Sequence, residues 1–259
     1  MTDSPEEVVE RIPLDDENDR FFERFQPALF ELYDSVRAKN ELDFVRTIAA
    51  DLWGAHNVET SIAAESQMFF NDYMMYFDQV DFTRLNLMIA LGFYCRLARG
   101  TGFYEVIANL LAIDGGGRYR EWPFDEAPAD QSGTGTGDVL RDLADLAERN
   151  GRTELAGLLS RAFNGDLVSS YLRADLLLRD DGLHLLRKGV GEPSSLTLAE
   201  FHAYFERGIT FYEVLREATG RYQTKYSTSK KIRGRLDDGP EQEHTVRFDL
   251  RKRTLEIAR

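Results

Sequence analysis

Apolar residues recur along most of this chain at the three- and four-residue steps of a helix. Phe21, Phe25, Leu29, Leu32 and Val36 mark one helical face, and Pro27 inside it predicts a kink or a later start. Leu42 to Trp53 predicts a second helix ending near Gly54. Residues 60–80 hold Met68, Phe69, Phe70, Tyr73, Met74, Met75, Tyr76 and Phe77 without Gly or Pro, and predict a buried helix, with a partner or self-association surface at 68–77 as the alternative. An apolar helix follows over 82–98, interrupted by Arg99-Gly100 and Gly102, and Phe103 to Ile113 resume the spacing. From Gly115 to Gly137, repeated Gly with Pro123 and Pro128 predicts a loop insertion.

Beyond that loop the punctuation sharpens. Asp138 is a candidate cap for a helix burying Val139, Leu143, Leu146 and Ala147, stopped by Asn150-Gly151. Thr153 is a candidate cap for the next, with Leu155, Leu158, Leu159 and Ala162 inward and Asn164-Gly165 as its stop. Asp180-Asp181-Gly182 between two apolar runs predicts a β-hairpin over about 174–188. Thr197 and Glu200 form a capping box that opens a long helix stopping near Gly220. Val246, Phe248 and Leu250, answered by Leu255 and Ile257, predict a terminal hairpin at about 245–257, docked by its apolar face. The predicted fold is mainly α, a helical bundle with one or two small β-hairpins. Its predicted divisions are an acidic flexible arm at 1–16, a helical domain at 17–222 with the insertion at about 114–137, and a basic linker plus hairpin at 223–259.

Composition narrows the function classes. The 259 residues carry 32 Lys and Arg against 45 Asp and Glu, a formal charge of −13 that opposes broad binding to a phosphate backbone. The one local exception is the run from Lys225 to Arg235, where Lys225, Lys230, Lys231, Arg233 and Arg235 meet no acid. There Tyr222 and Tyr226 are candidates for stacking on RNA bases. A lone cysteine, Cys95, fits a reducing compartment, the acidic start lacks an apolar leader core, and the Leu85–Cys95 run is too short to span a bilayer. A cytoplasmic protein without membrane contact is expected.

Catalytic signatures are mostly missing. No phosphate-binding GxxxxGK[ST], no HExxH, no CxxC and no GxSxG occur, so no cofactor and no metal are expected. The histidines His56, His184, His202 and His244 are scattered over different elements. Polar residues inside apolar helices, Arg84, Asn86, Glu105 and Asn109, suggest either an interhelical network or a pocket for a small ligand or nucleotide.

From about residue 85 to 216 the order of elements resembles bacterial proteins with a HEPN-type helical domain. The resemblance rests on the segment Phe103–Leu111, the Asp181-Gly182 turn and the helix at 196–215. It implies a helical fold, a homodimer or another protein partner, and a setting in stress response or phage defence. HEPN ribonucleases use an Arg and a His four to six residues apart on a helix, paired across a dimer. Here the matching positions hold Val168 and Arg173, and a start at Arg173 puts Leu178 where His is needed. Neither Val nor Arg exchanges protons near neutral pH. The literal spacing Arg179–His184 straddles the Asp-Asp-Gly turn, and with Arg173 and Asp175 it forms the alternative site of a ribonuclease or nucleotide-acting enzyme. The leading expectation is a non-catalytic HEPN-like interaction protein.

Overall fold

The computed structural model describes residues 16–49, 61–77, 83–124, 136–179, 181–186, 194–252 and 254–258. The predicted arm, the end of the second helix near Gly54, His56 and the centre of the loop insertion lie outside these residues. Among them are nine helices and two three-stranded antiparallel sheets, so the mainly α prediction with small β elements holds.

The core is organised around two helices far apart in the chain, α1 (Asp16–Lys39) and α9 (Leu198–Thr224). Phe25 of α1 stacks on Phe211 of α9 with ring centroids 5.2 Å apart, and Tyr33 shares a 2.8 Å hydrogen bond with Thr219. The α1 helix runs on through Pro27, which lies on the exposed side, where water can bond the Glu23 carbonyl that the proline leaves without a donor. The capping box at Thr197 is complete in both directions, with Thr197 Oγ1 accepting from Glu200 N at 3.2 Å and Glu200 Oε2 accepting from Thr197 N at 2.7 Å. The helix then continues past Gly220 to Thr224, further than predicted.

Around this axis pack α2 (Glu41–Ala49), α3 (Ser61–Phe77), α4 (Arg84–Leu97), α5 (Thr101–Asp114), α6 (Thr136–Arg149), α7 (Thr153–Leu159) and α8 (Gly165–Leu172). Helix α6 starts at Thr136, before Asp138, and buries Leu140, Leu143 and Ala147, while Val139 and Leu146 are only half-buried. Arg152, not Thr153, stands at the N-cap of α7 and makes no side-chain cap there; its guanidinium is held on Asp114 instead. Asn164, expected to stop a helix, instead caps α8, its Oδ1 accepting from Leu167 N at 3.0 Å. The prediction that residues 60–80 are buried is corrected for α3. Phe70 is buried, whereas Met68, Phe69, Met75 and Tyr76 are exposed.

The first sheet orders β1 (Leu176–Arg179), β2 (Gly182–Leu185) and β3 (Ser194–Leu196), so the predicted hairpin gains a third strand. Gly182 has φ +138° and a Cβ there would lie 2.2 Å from the Leu196 carbonyl oxygen, so this turn admits only glycine. The second sheet orders β4 (Lys230–Arg235), β5 (Glu241–Asp249) and β6 (Thr254–Ala258). The predicted linker is therefore a strand over 230–235. The terminal hairpin pairs Val246 with Ile257 and Phe248 with Leu255, while Leu250 stands exposed in the turn rather than on the strand face. The sheet docks on the helical body: Phe248 N donates to Tyr226 O at 2.8 Å, and Ile232, Val246 and Phe248 are buried.

Candidate functional site

The Arg179–His184 pair lies on a β-ribbon. Leu177 faces His184 and Arg179 faces Gly182, which makes Arg179 and His184 diagonal neighbours on one face of the sheet. His184 Nε2 is 2.8 Å from Asp181 Oδ1, and the imidazole beside it, then Arg179, hold the Asp181 carboxyl below its ordinary value. Arg173, the C-cap of α8, donates through Nε to Asp175 Oδ2 at 3.2 Å. The four residues thus form two separate local pairs, and the Arg and His are not on adjacent turns of a helix. Val168, at the other motif position, is buried in the core.

The polar residues of α4 and α5 are held by different neighbours. Buried Asn86 accepts from the Tyr76 hydroxyl at 2.6 Å, and its backbone N–H bonds the capping hydroxyl of Thr83. Arg84 is exposed and its Nη2 donates to the Leu178 carbonyl at 3.1 Å, tying α4 to β1. On α5, Asn109 donates to the carbonyls of Glu105 (3.2 Å) and Arg120 (3.0 Å) and accepts from Arg120 N at 2.8 Å. Asn109 therefore fastens the loop after α5 onto the helix, with Glu105 buried one turn before it.

The basic segment is answered by acids from elsewhere in the fold. Lys230 Nζ sits 2.7 Å from both Glu41 oxygens, Lys231 pairs with Glu243 at 2.6 Å, and Arg233 pairs with Glu241 at 2.9 Å. Lys225 Nζ lies 3.8 Å from the Tyr222 ring centroid, and the Arg235 carbonyl accepts from Arg118 Nη2 at 2.7 Å. The expectation that Tyr222 and Tyr226 stack on bases is corrected: both rings are buried, packed under the C-terminal sheet and against α1.

Two buried carboxylates escaped sequence reasoning because their partners are distant in the chain. Asp114 accepts from Arg152 (2.5 and 3.1 Å), Lys39 (2.6 Å) and Ser35 (2.7 Å), joining α1, α5 and α7. Burial pushes its carboxyl up, but these donors outweigh that and hold it well below the usual carboxylate range. Asp43 of α2 takes Arg118, the Asn40 amide at 2.8 Å and Tyr119 N at 3.3 Å. Arg118 reaches on to β4, and Arg46 bonds Asp237 at 2.6 Å, so this cluster clasps the second sheet to the body. Cys95 is buried, its thiol pushed up to about 12 by burial, which keeps it in the unreactive thiol form.

The other feature, expected mainly as core and alternatively as a partner surface, is the outer side of α3 and α4. Met68, Phe69, Met75 and Tyr76 of α3 and Leu85 and Met88 of α4 are all exposed, on two helices that meet through Tyr73 and Phe93 and through Tyr76 and Asn86. The available signal was the run of Met and aromatic side chains from Met68 to Phe77, broken only by Asn71 and Asp72. Among the described residues no group of His, Cys, Asp and Glu is arranged to hold a metal, and no helix is long and apolar enough to cross a membrane. Fold and surface together define a mainly α protein with two small antiparallel sheets and an uncovered apolar helical face. No family model, curated protein or solved structure matches the chain.

Proposed function

We propose that this is a non-catalytic, HEPN-like helical interaction protein of bacterial stress response or phage defence, and that its working surface is a protein-binding face. The observation that carries the reading is the exposed apolar face of α3 and α4, since a folded domain rarely leaves such a surface in water without a partner. The ionisable residues support it, because the strongest charged clusters, at Asp43 and Asp114, are occupied in joining helices and loops. The HEPN-like assignment rests on the order of elements, and the non-catalytic reading on Val168 and Arg173 at the two motif positions.

Incubating the purified chain with labelled RNA tests the reading. No cleavage above a buffer control is expected, and none that depends on His184. Cleavage that disappears in His184→Ala overturns it in favour of a ribonuclease using Arg179 and His184.

A further inference from the structure

Helices α1 and α9 end side by side. The Tyr222 hydroxyl donates to Asp34, and the Tyr226 hydroxyl, just past α9, donates at 3.0 Å to Glu41, just past α1. Cations crowd this end of the body. Arg221 and Lys225 are four residues apart, so the helical repeat sets them one turn above the other at the end of α9, both exposed. Each is seated on an aromatic ring rather than on an acid. The Arg221 guanidinium carbon lies 4.9 Å from the Phe30 ring centroid and Lys225 Nζ 3.8 Å from that of Tyr222, and the two rings are 6.1 Å apart. Neither cation makes an ion pair among the described residues. Arg37 joins them from α1, tied through Nε to Glu41 at 3.2 Å.

Like charges one turn apart repel and destabilise a helix. Arg37, Arg221, Lys225 and Lys230 stand here against Asp34 and Glu41, an excess of cations in a chain of formal charge −13. The carbonyl ends of the two helices offset about half a charge each, which reduces the excess without removing it. Lys225 feels what is left. Burial first, then Arg37 and Arg221, hold its ammonium below the ordinary value against one opposing carboxylate, Asp34.

We propose that Arg37, Arg221 and Lys225 bind a phosphomonoester dianion, carried on free phosphate or on a small organic phosphate. Such a group brings about −1.5 to −2 charges at pH 7 and three terminal oxygens, which can meet two guanidiniums and an ammonium. A carboxylate offers less charge and only two oxygens. A nucleic acid needs a series of phosphate contacts, and the cations of β4 do not continue this one, since Lys231 and Arg233 are paired to Glu243 and Glu241. The site belongs to α1 and α9, not to the α3–α4 face, and is tested apart from it.

Isothermal titration of the full chain with orthophosphate and with AMP, at an ionic strength held constant with NaCl, tests the site. Saturable binding is expected, weakening as pH falls below about 6, where the dianion takes up a proton. Tighter binding of AMP assigns an organic phosphate as the ligand, and an affinity no better than that of orthophosphate assigns free phosphate. Arg221→Gln and Lys225→Gln each weaken binding by about tenfold or more. Phosphate also raises the wild-type melting temperature by mass action, and both variants lose that rise. Cations kept only to answer the helix ends give the opposite result: the variants melt lower without phosphate and keep the phosphate-induced rise, which overturns the proposal. No saturable binding of either probe at about 10 mM overturns it as well.

Discussion

A carboxylate taken out of water costs several kcal/mol unless donors answer it, and Asp114 is answered from three sides by Arg152, Lys39 and Ser35. Replacing it with Asn leaves the Arg152 guanidinium, itself largely buried, without its anion. Asp114→Asn is expected to lower stability by about 3 kcal/mol at pH 7, read from the urea midpoint. The pH dependence has a definite sign. An unfolded Asp takes up its proton at about pH 3.9, but the folded carboxyl does so only at lower pH. The stability Asp114 contributes is therefore complete above about pH 5 and declines as pH falls below about 4. Glu41 acts with the same sign: burial raises it, but Lys230, Tyr226 and Arg37 hold it low overall. The Asn variant should show a flatter acid limb than wild type, and parallel limbs would reject the assignment.

At the scale of elements, the C-terminal sheet makes the clearest demand. Deleting residues 236–259 removes buried Val246 and Phe248 and uncovers Ile232, together about 4.5–9 kcal/mol of apolar burial. A fall of roughly 10 °C or more in melting temperature is expected, and an unchanged value would show that the sheet adds nothing to the body. This sheet also shows where sequence reading succeeds and stops. Val246 and Phe248 alternate against Leu255 and Ile257 and betray a hairpin, but β4 hides because Lys230, Lys231, Arg233 and Arg235 leave only Ile232 as a bulky inward residue. Side-chain reach misleads at helix starts as well. Thr153 is a good local cap, yet Arg152 stands at the N-cap without capping and its side chain goes to Asp114 of another helix. In α3 the polar residues Glu65, Gln67, Asn71 and Asp72 are interleaved with Met and aromatic side chains, so periodicity gives no clean stripe by which to tell inward from outward. The Met and aromatic run at 68–77 was therefore legible as core or as a partner surface, but not which side chains would serve each.

At the scale of the whole molecule, the excess of acids decides what the basic segment does. Three of its five cations are paired to Glu41, Glu241 and Glu243, and the tyrosines meant for bases are buried. No RNA binding is expected in a filter-binding assay at physiological salt. Binding that weakens on Lys231→Ala or Arg233→Ala, both exposed, would restore the nucleic-acid reading. The Asp181-Gly182 turn made the placing of Arg179 and His184 on a β-ribbon legible in the sequence, whereas nothing in it showed that Asn86 and Asn109 are drawn to different neighbours. The pairing of α1 with α9 has a consequence for how the chain is made. Tyr33 waits for Thr219, and Asp34 for Tyr222, across more than 180 residues of chain. At ribosomal rates of about 5–20 residues per second, the first helix emerges roughly ten to forty seconds before the last one that covers it. During that interval the apolar face of Phe21, Phe25, Leu29 and Leu32 lacks its native cover, so the nascent chain is a client for holding factors until its synthesis is nearly done.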